Sequence, residues 1–346
     1  MHRIARAKVI SLICLLLFSA VGAARGELLF QGTTYTLRWR QSETNDNVPQ
    51  TAGNPHCFQM GSTLSVRVVN PPPGMTHWYV TSAMLKSKVT NAVYWNVNSG
   101  QWLPIGSAFT LPNIPNHIDH CDLMVTWAYL YNGVLIIPQG TITTESFLVL
   151  GAPKTPMNPA WVSVLRHTCV WASMETTAVG AVGKLTDELY VRGHYNDGSH
   201  AYTSNETNAG ETFHLKSFLE DTQFPWGQCN DFADFLCCLV TSVGAYDLKA
   251  QRTYPFDTAA FHYKLLIPAG HTMPRSGNWE YHQFTLHSSP LVWDGCISLV
   301  GNGVPKGWTR DGDYKDRLVD FFLFGIWQPT PAAGFVPAVT TLPVPP

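Results

Sequence analysis

Trp226-Gly227-Gln228-Cys229-Asn230-Asp231-Phe232-Ala233-Asp234-Phe235-Leu236 reads as a glycine turn that hands one cysteine to the start of an amphipathic helix. From Phe232 onward the apolar residues Phe232, Phe235, Leu236, Leu239, Val240 and Val243 fall three or four positions apart, the mark of one helical face, and Gly244 is a natural stop. Gly227 supplies backbone freedom just ahead. Cys229 is therefore expected at or beside the first helical position, where unpaired N–H groups and the positive end of the helix dipole favour a thiolate. A cysteine placed there is a candidate nucleophile.

A thiol nucleophile needs a base beside it and a group to orient that base. In Glu280-Tyr281-His282-Gln283-Phe284-Thr285-Leu286, strand alternation puts His282 on the inward face with Phe284 and Leu286, and His287 on the other face. Ser288-Ser289-Pro290 makes a turn, and the following strand, Leu291–Leu299, carries Asp294 on the side of Val292. Antiparallel pairing would bring Asp294 within reach of His282, to hold the imidazole in one tautomer and stabilise the imidazolium. Glu280, on the face of His282, is the second-choice carboxylate. Oxyanion or substrate donors are sought in the Cys229 backbone N–H and in the Gln228 and Trp226 side chains. The plainer readings are a disulfide-bonded or buried Cys229, a core His282 and a turn-forming Asp294.

Outward from this set, residues 27–151 show short alternating stretches such as Thr63–Val68 and no helical period. The clearest hairpin is Leu123–Leu130, a turn at Asn132-Gly133, then Val134–Ile137, so a β-sandwich domain is expected. Gly151-Ala152-Pro153-Lys154-Thr155-Pro156 marks a boundary. Residues 155–327 then mix helices and strands: a helix capped by Asn158 with Pro159 at its first position, another around Val182, Leu185 and Leu189, a short one at Phe213–Glu220, and strands from Phe261 onward. The fold class is α+β, an N-terminal antiparallel β-sandwich followed by an α+β core. Recurrent prolines make residues 328–346 read as a disordered or extended tail.

With 346 residues, 45% of them hydrophobic, the chain can bury sizeable cores. A net charge of −2 with only 13% charged residues removes the basic footprint of a nucleic-acid binder. Residues 1–26 carry Arg3, Arg6 and Lys8 ahead of the apolar run Val9–Phe18 and small residues near Ala24, the pattern of a secretory signal. No membrane association is expected once it is removed. In an oxidising compartment the seven remaining cysteines are an odd number, which fits a reactive Cys229 beside as many as three disulfides. Cys57 and Cys121 are the simplest pair. His56-Cys57 and His117-x-x-His120-Cys121 match no standard zinc spacing, so neither metal nor cofactor is called for. Asn205-Glu206-Thr207 is a glycosylation acceptor only in a host that glycosylates exported proteins.

Over residues 155–325 the chain resembles the transglutaminase-like superfamily of papain-related thiol enzymes. The matching residues are Gly227-Gln228-Cys229, then Phe232-Ala233 on a helix ending near Gly244, then Tyr281-His282 on a strand and Asp294 on the next. Asn230 and Gly295-Cys296 depart from the family pattern, and there is no acidic cluster to carry over calcium dependence. The resemblance implies a papain-like core and a Cys229-His282-Asp294 triad that forms an acyl-enzyme on peptide or glutamine amide bonds of a protein or peptide substrate, with hydrolysis favoured over transamidation. A catalytically inactive extracellular binding protein that retains the fold is the alternative.

Overall fold

Leu64–Val69 alternates buried and half-buried residues along its whole length, the pattern of a strand with one face on a core. That pattern recurs through the N-terminal half of the computed structural model, which describes residues 26–39, 48, 51–196, 201–204, 211–255, 261–323, 326–328, 333–337 and 340–341. The signal segment through residue 25 and the Asn205-Glu206-Thr207 triplet lie outside the described residues. The nine strands that organise this half are β1 (Glu27–Gly32), β2 (Thr34–Tyr35), β3 (His56–Gln59), β4 (Leu64–Val69), β5 (Met75–Ser87), β6 (Val93–Val97), β7 (Phe109–Thr110), β8 (Asp119–Tyr131) and β9 (Leu135–Val149). Strands β1, β4 and β7 make one sheet, and a larger sheet runs β2-β3-β9-β8-β5-β6. The two bury a common core that includes Phe30, Val66, Trp78, Val80, Leu123, Val125, Trp127 and Tyr129. Between β8 and β9, Asn132 and Gly133 both take positive φ and the Val134 amide donates to the Tyr131 carbonyl, as the Asn-Gly pair requires.

The same sheet rules out the expected Cys57–Cys121 disulfide. Cys57 lies opposite Phe147 and hence beside His120, whereas Cys121 lies opposite Ser146 and hence beside His56. Adjacent rows of a sheet point to opposite faces, so the two sulfurs face away from each other across β9. All seven described cysteines are free thiols, in place of the expected three bridges. The histidines are separately engaged, His56 with Asn54, His117 with Tyr94 and His120 with Glu145.

The larger sheet turns its outer face to the second half of the chain, and one hydrophobic cluster runs through both, joining Cys57, Phe147 and Val149 to Val164, Leu165, Phe235 and Leu239. Glu145 of β9 pins this junction, accepting from His120 Nε2 at 2.8 Å and from Arg166 Nε and Nη2 at 2.9 and 2.6 Å. Burial would raise the Glu145 carboxyl, but those bonds outweigh it and hold the group at about 2. A carboxylate depressed in the folded state adds stability above its unfolded pKa, here ordinarily 4.5, and loses it as pH falls toward 2. Glu145→Gln should cost roughly 1–2 kcal/mol at neutral pH, allowing for the exposed arginine, and thermal melts of the two proteins should converge as pH drops from 4.5 toward 2. Parallel melting curves at every pH would refute this role.

Four helices follow: α1 (Val162–Trp171), α2 (Ala178–Arg192), α3 (Leu215–Glu220) and α4 (Cys229–Ser242). The first begins at Val162 and not at Pro159, because Ala160 and Trp161 are taken up in pairing with Leu37 and Arg38. The boundary segment is tied down as well, with the Gly151 and Lys154 amides donating to the Val243 and Thr241 carbonyls at the end of α4. Gly244 stops α4 at φ +70, and a Cβ there would stand 2.5 Å from the Ala152 carbonyl.

The principal strands after α4 are β10 (Leu248–Pro255), β11 (Phe261–Pro268), β12 (Arg275–Trp279), β13 (His282–His287), β14 (Leu291–Trp293), β15 (Ile297–Leu299), β16 (Lys306–Thr309), β17 (Val319–Leu323), β18 (Ile326–Gln328) and β19 (Ala333–Pro337). One antiparallel sheet runs β16-β14-β13-β10-β19, and another joins β12, β11, β17 and β18, with β15 also beside β11. The described part of the proline-rich tail is thus a strand: β19 adds to the edge of β10, where Pro337, at the strand's last position, costs no interior ladder bond. The architecture is mixed α+β with antiparallel sheets. No helix among the described residues is long and apolar enough to cross a membrane.

Candidate active site

Every residue of α4 is buried, polar ones included. The apolar spacing suggested one buried face. The helix instead packs against α1 and α2 on one side and β13 and β10 on the other. Its polar residues are accommodated by bonding: Asp231 Oδ2 accepts from the Gln228 amide at 2.9 Å, and Asp231 Oδ1 accepts from the Tyr202 amide and the Thr203 hydroxyl at 3.0 and 2.9 Å. Burial outweighs these bonds and raises the Asp231 carboxyl to about 6.

Cys229 is the first residue of α4, as its place after Gly227 requires, and it is 6% exposed. Its sulfur lies against the backbone N–H groups of Gln283 and Asn230, which favour negative charge there. Burial is the larger effect, with Asp294 and Asp231 adding to it, and the thiol is pushed up to about 12. The expected thiolate is therefore a neutral thiol. A dipole at the end of one helix does not offset removal of the sulfur from water.

His282 opens β13 and is wholly buried. Strands β13 and β14 pair antiparallel, Thr285 opposite Trp293, which delivers Asp294 just past the end of β14. His282 Nε2 lies 2.8 Å from Asp294 Oδ2. The carboxylate accepts, so Nε2 carries the proton, and Nδ1 is left buried with no hydrogen-bond partner. Nδ1 is then a free base nitrogen on the residue next to the one whose backbone N–H meets the Cys229 sulfur. The structure brings Cys229, His282 and Asp294 into one region between α4 and the sheet.

The other residues singled out from sequence fare differently. Glu280 is exposed and outside both strands, because β12 ends at Trp279 and β13 begins at His282, so the alternation read over Glu280–Leu286 starts only at His282. Gln228 is half-buried at the N-cap, its amide held by Asp231. The Trp226 ring stacks on His194 with centroids 4.2 Å apart. Three partners were missed. Trp279, not the neighbouring Tyr281, stacks on the His282 ring at 4.5 Å and 12°, while Tyr281 lies under the Arg252 guanidinium at 4.1 Å. Arg252 Nε donates to Gln283 Oε1 at 2.7 Å, fixing the residue whose amide meets the sulfur. Tyr314 donates to Asp294 Oδ2 at 2.7 Å. Strand β10 is itself largely polar in sequence, so nothing marked Arg252 as buried, and nothing pointed to Tyr314.

No protein-family model matches this chain, and comparison with curated proteins finds no match.

Proposed function

We propose that the protein is a thiol enzyme of the transglutaminase-like kind, with a papain-like core, acting on peptide or glutamine amide bonds. The observation that carries this reading is a buried imidazole held by a carboxylate through Nε2, its other nitrogen unpaired, on the residue preceding Gln283, whose backbone N–H meets a free cysteine at a helix N-terminus. In the reaction the Cys229 proton passes to His282 Nδ1 as the sulfur attacks the carbonyl carbon. A thiol at about 12 cannot ionise ahead of attack at neutral pH, so proton transfer and attack are coupled. The Cys229 backbone N–H, at the first position of α4, holds the oxyanion, with the Gln228 side-chain amide as a second donor. Imidazolium then protonates the departing amine or ammonia, leaving a thioester on Cys229. Water, activated by His282, adds to the thioester and releases the acid and the thiol.

Hydrolysis is favoured over transfer to a second amine, and the two are separated by one assay. Full-length protein incubated with a glutamine-containing peptide and a fluorescent amine should release ammonia or cleave the peptide without incorporating label. Incorporated label would replace hydrolysis by transamidation. If Cys229→Ala turns over as the wild type does, the thiol mechanism is wrong. The free Cys229 sulfur also weighs against the inactive binding protein, for which a disulfide at that position was the favouring sign.

A further inference from the structure

Asp294 is 2% exposed and receives three donors: His282 Nε2 and the Tyr314 hydroxyl on Oδ2, and the Cys296 amide on Oδ1 at 2.9 Å. A buried carboxylate is costly unless its oxygens are bonded, and its orientation decides how it holds the ring beside it. The titratable groups around it are His282 from β13, Tyr314, Cys229 from α4 and Cys296 from its own loop.

Tyr314 reaches the carboxylate by a route independent of the thiol and the imidazole. It closes a π-helical turn, Arg310–Tyr314, that follows β16 directly. The Arg310 amide donates to the Pro290 carbonyl and the Asp313 amide to the Thr309 hydroxyl, and β16 pairs with β14, the strand that presents Asp294. The wider i→i+5 turn, closed by the Lys315 amide on the Arg310 carbonyl, brings the phenol inward, where its ring packs on Phe284 at 4.7 Å and is fully buried.

Resting on the triad reading above, we propose that Tyr314 is a positioning residue of this site. By donating to the oxygen that also holds His282 Nε2, it fixes the orientation of the Asp294 carboxyl and with it the imidazole in the tautomer whose Nδ1 accepts the thiol proton.

The test is the pH dependence of Cys229 alkylation by iodoacetamide in the full-length protein, with the modified residue mapped by mass spectrometry and melting temperatures recorded. Tyr314→Phe removes only the hydroxyl. Cys229 alkylation at neutral pH should fall about tenfold, and the acidic limb of its profile should move up by about one pH unit, because the ionised carboxylate has lost a donor. Incorporating 3-fluorotyrosine at position 314, a more acidic phenol of nearly the same shape, should move that limb down and keeps the test alive if Tyr314→Phe does not fold. A limb unmoved by both changes, whatever the melting temperatures, overturns the proposal. His282→Asn separates the two levels of the argument: if it leaves alkylation unchanged, the triad reading falls and the Tyr314 role with it. If it slows alkylation while the Tyr314 changes do nothing, only the Tyr314 role is lost.

Discussion

His282→Asn should lower turnover by about a thousandfold or more, with KM little changed, since removing a base that works only in the transition state costs kcat and not ground-state binding. Asparagine is the informative replacement. It is smaller than imidazole and carries no basic nitrogen, and the buried carboxylate keeps its donors from Tyr314 and Cys296. What is lost is the unpartnered Nδ1. Without it a thiol pushed up to about 12 has nowhere to send its proton below the alkaline range, so residual activity should rise with pH, where the wild type has a plateau. Asp294→Asn probes the same point from the other side. An amide nitrogen turned to the ring asks Nε2 to accept, which moves the ring proton to Nδ1 and faces a donor to the thiol. A loss comparable to that of His282→Asn is expected. Because the three groups act as a unit, the double variant should be little worse than either single one. A residual rate within about tenfold of wild type in His282→Asn, or losses that multiply in the double variant, would remove His282 from the chemistry. Melting temperatures within a few degrees of wild type are the control that the fold is intact.

The parts of this site that could be read from the chain are those set by local periodicity. Apolar residues three and four apart locate α4, Gly227 and Gly244 bracket it, and strand alternation with a short turn brings Asp294 onto His282, as the 2.8 Å contact bears out for that pair. What could not be read depends on register or on irregular backbone. Cys57 and Cys121 pass for partners until the pairing of β3, β9 and β8 places them in adjacent rows facing opposite ways. The interruption at Glu280-Tyr281 breaks the alternation, so the aromatic next in sequence to His282 stacks on Arg252 and the one three residues earlier covers the ring. Tyr314 sits in a π turn, which has no hydrophobic period to betray it. Of the tail, residues 333–337 pair at the edge of β10, where a strand tolerates proline as an interior one does not, a placement set by the sheet and not by local composition. The thiolate expectation failed for a reason of magnitude: position on the helix was right, but the burial of Cys229 is a tertiary property.

Asp231→Ala is expected to be the most destabilising single change near the site. The carboxylate is wholly buried and is the acceptor for the Gln228 amide, the Tyr202 amide and the Thr203 hydroxyl. Alanine strands all three donors and opens a void under the first turn of α4, a loss of roughly 3–5 kcal/mol, or a melting temperature lower by roughly 8 °C or more. Cys229 alkylation should change at the same time, because the Gln228 bond is what seats the turn that delivers the sulfur. Asp231→Asn isolates the charge. A carboxyl raised in the folded state, here from 3.8 to about 6 by burial, contributes stability that is complete below the lower value and lost as pH rises through the upper one. The advantage of wild type over Asp231→Asn should therefore shrink between pH 4 and 6, opposite in direction to the Glu145 effect, which belongs to a carboxyl held low. The two carboxylates make the sign testable within one protein: melts across pH 2 to 7 should show Glu145→Gln losing its penalty on the acid side and Asp231→Asn losing part of its own toward neutrality. If the Asp231→Asn penalty instead grows from pH 4 to 6, the bonds from Gln228, Tyr202 and Thr203 outweigh burial. Asp231 would then be a stabilising anion of the helix N-terminus, and its charge would bear on Cys229 throughout the working pH range.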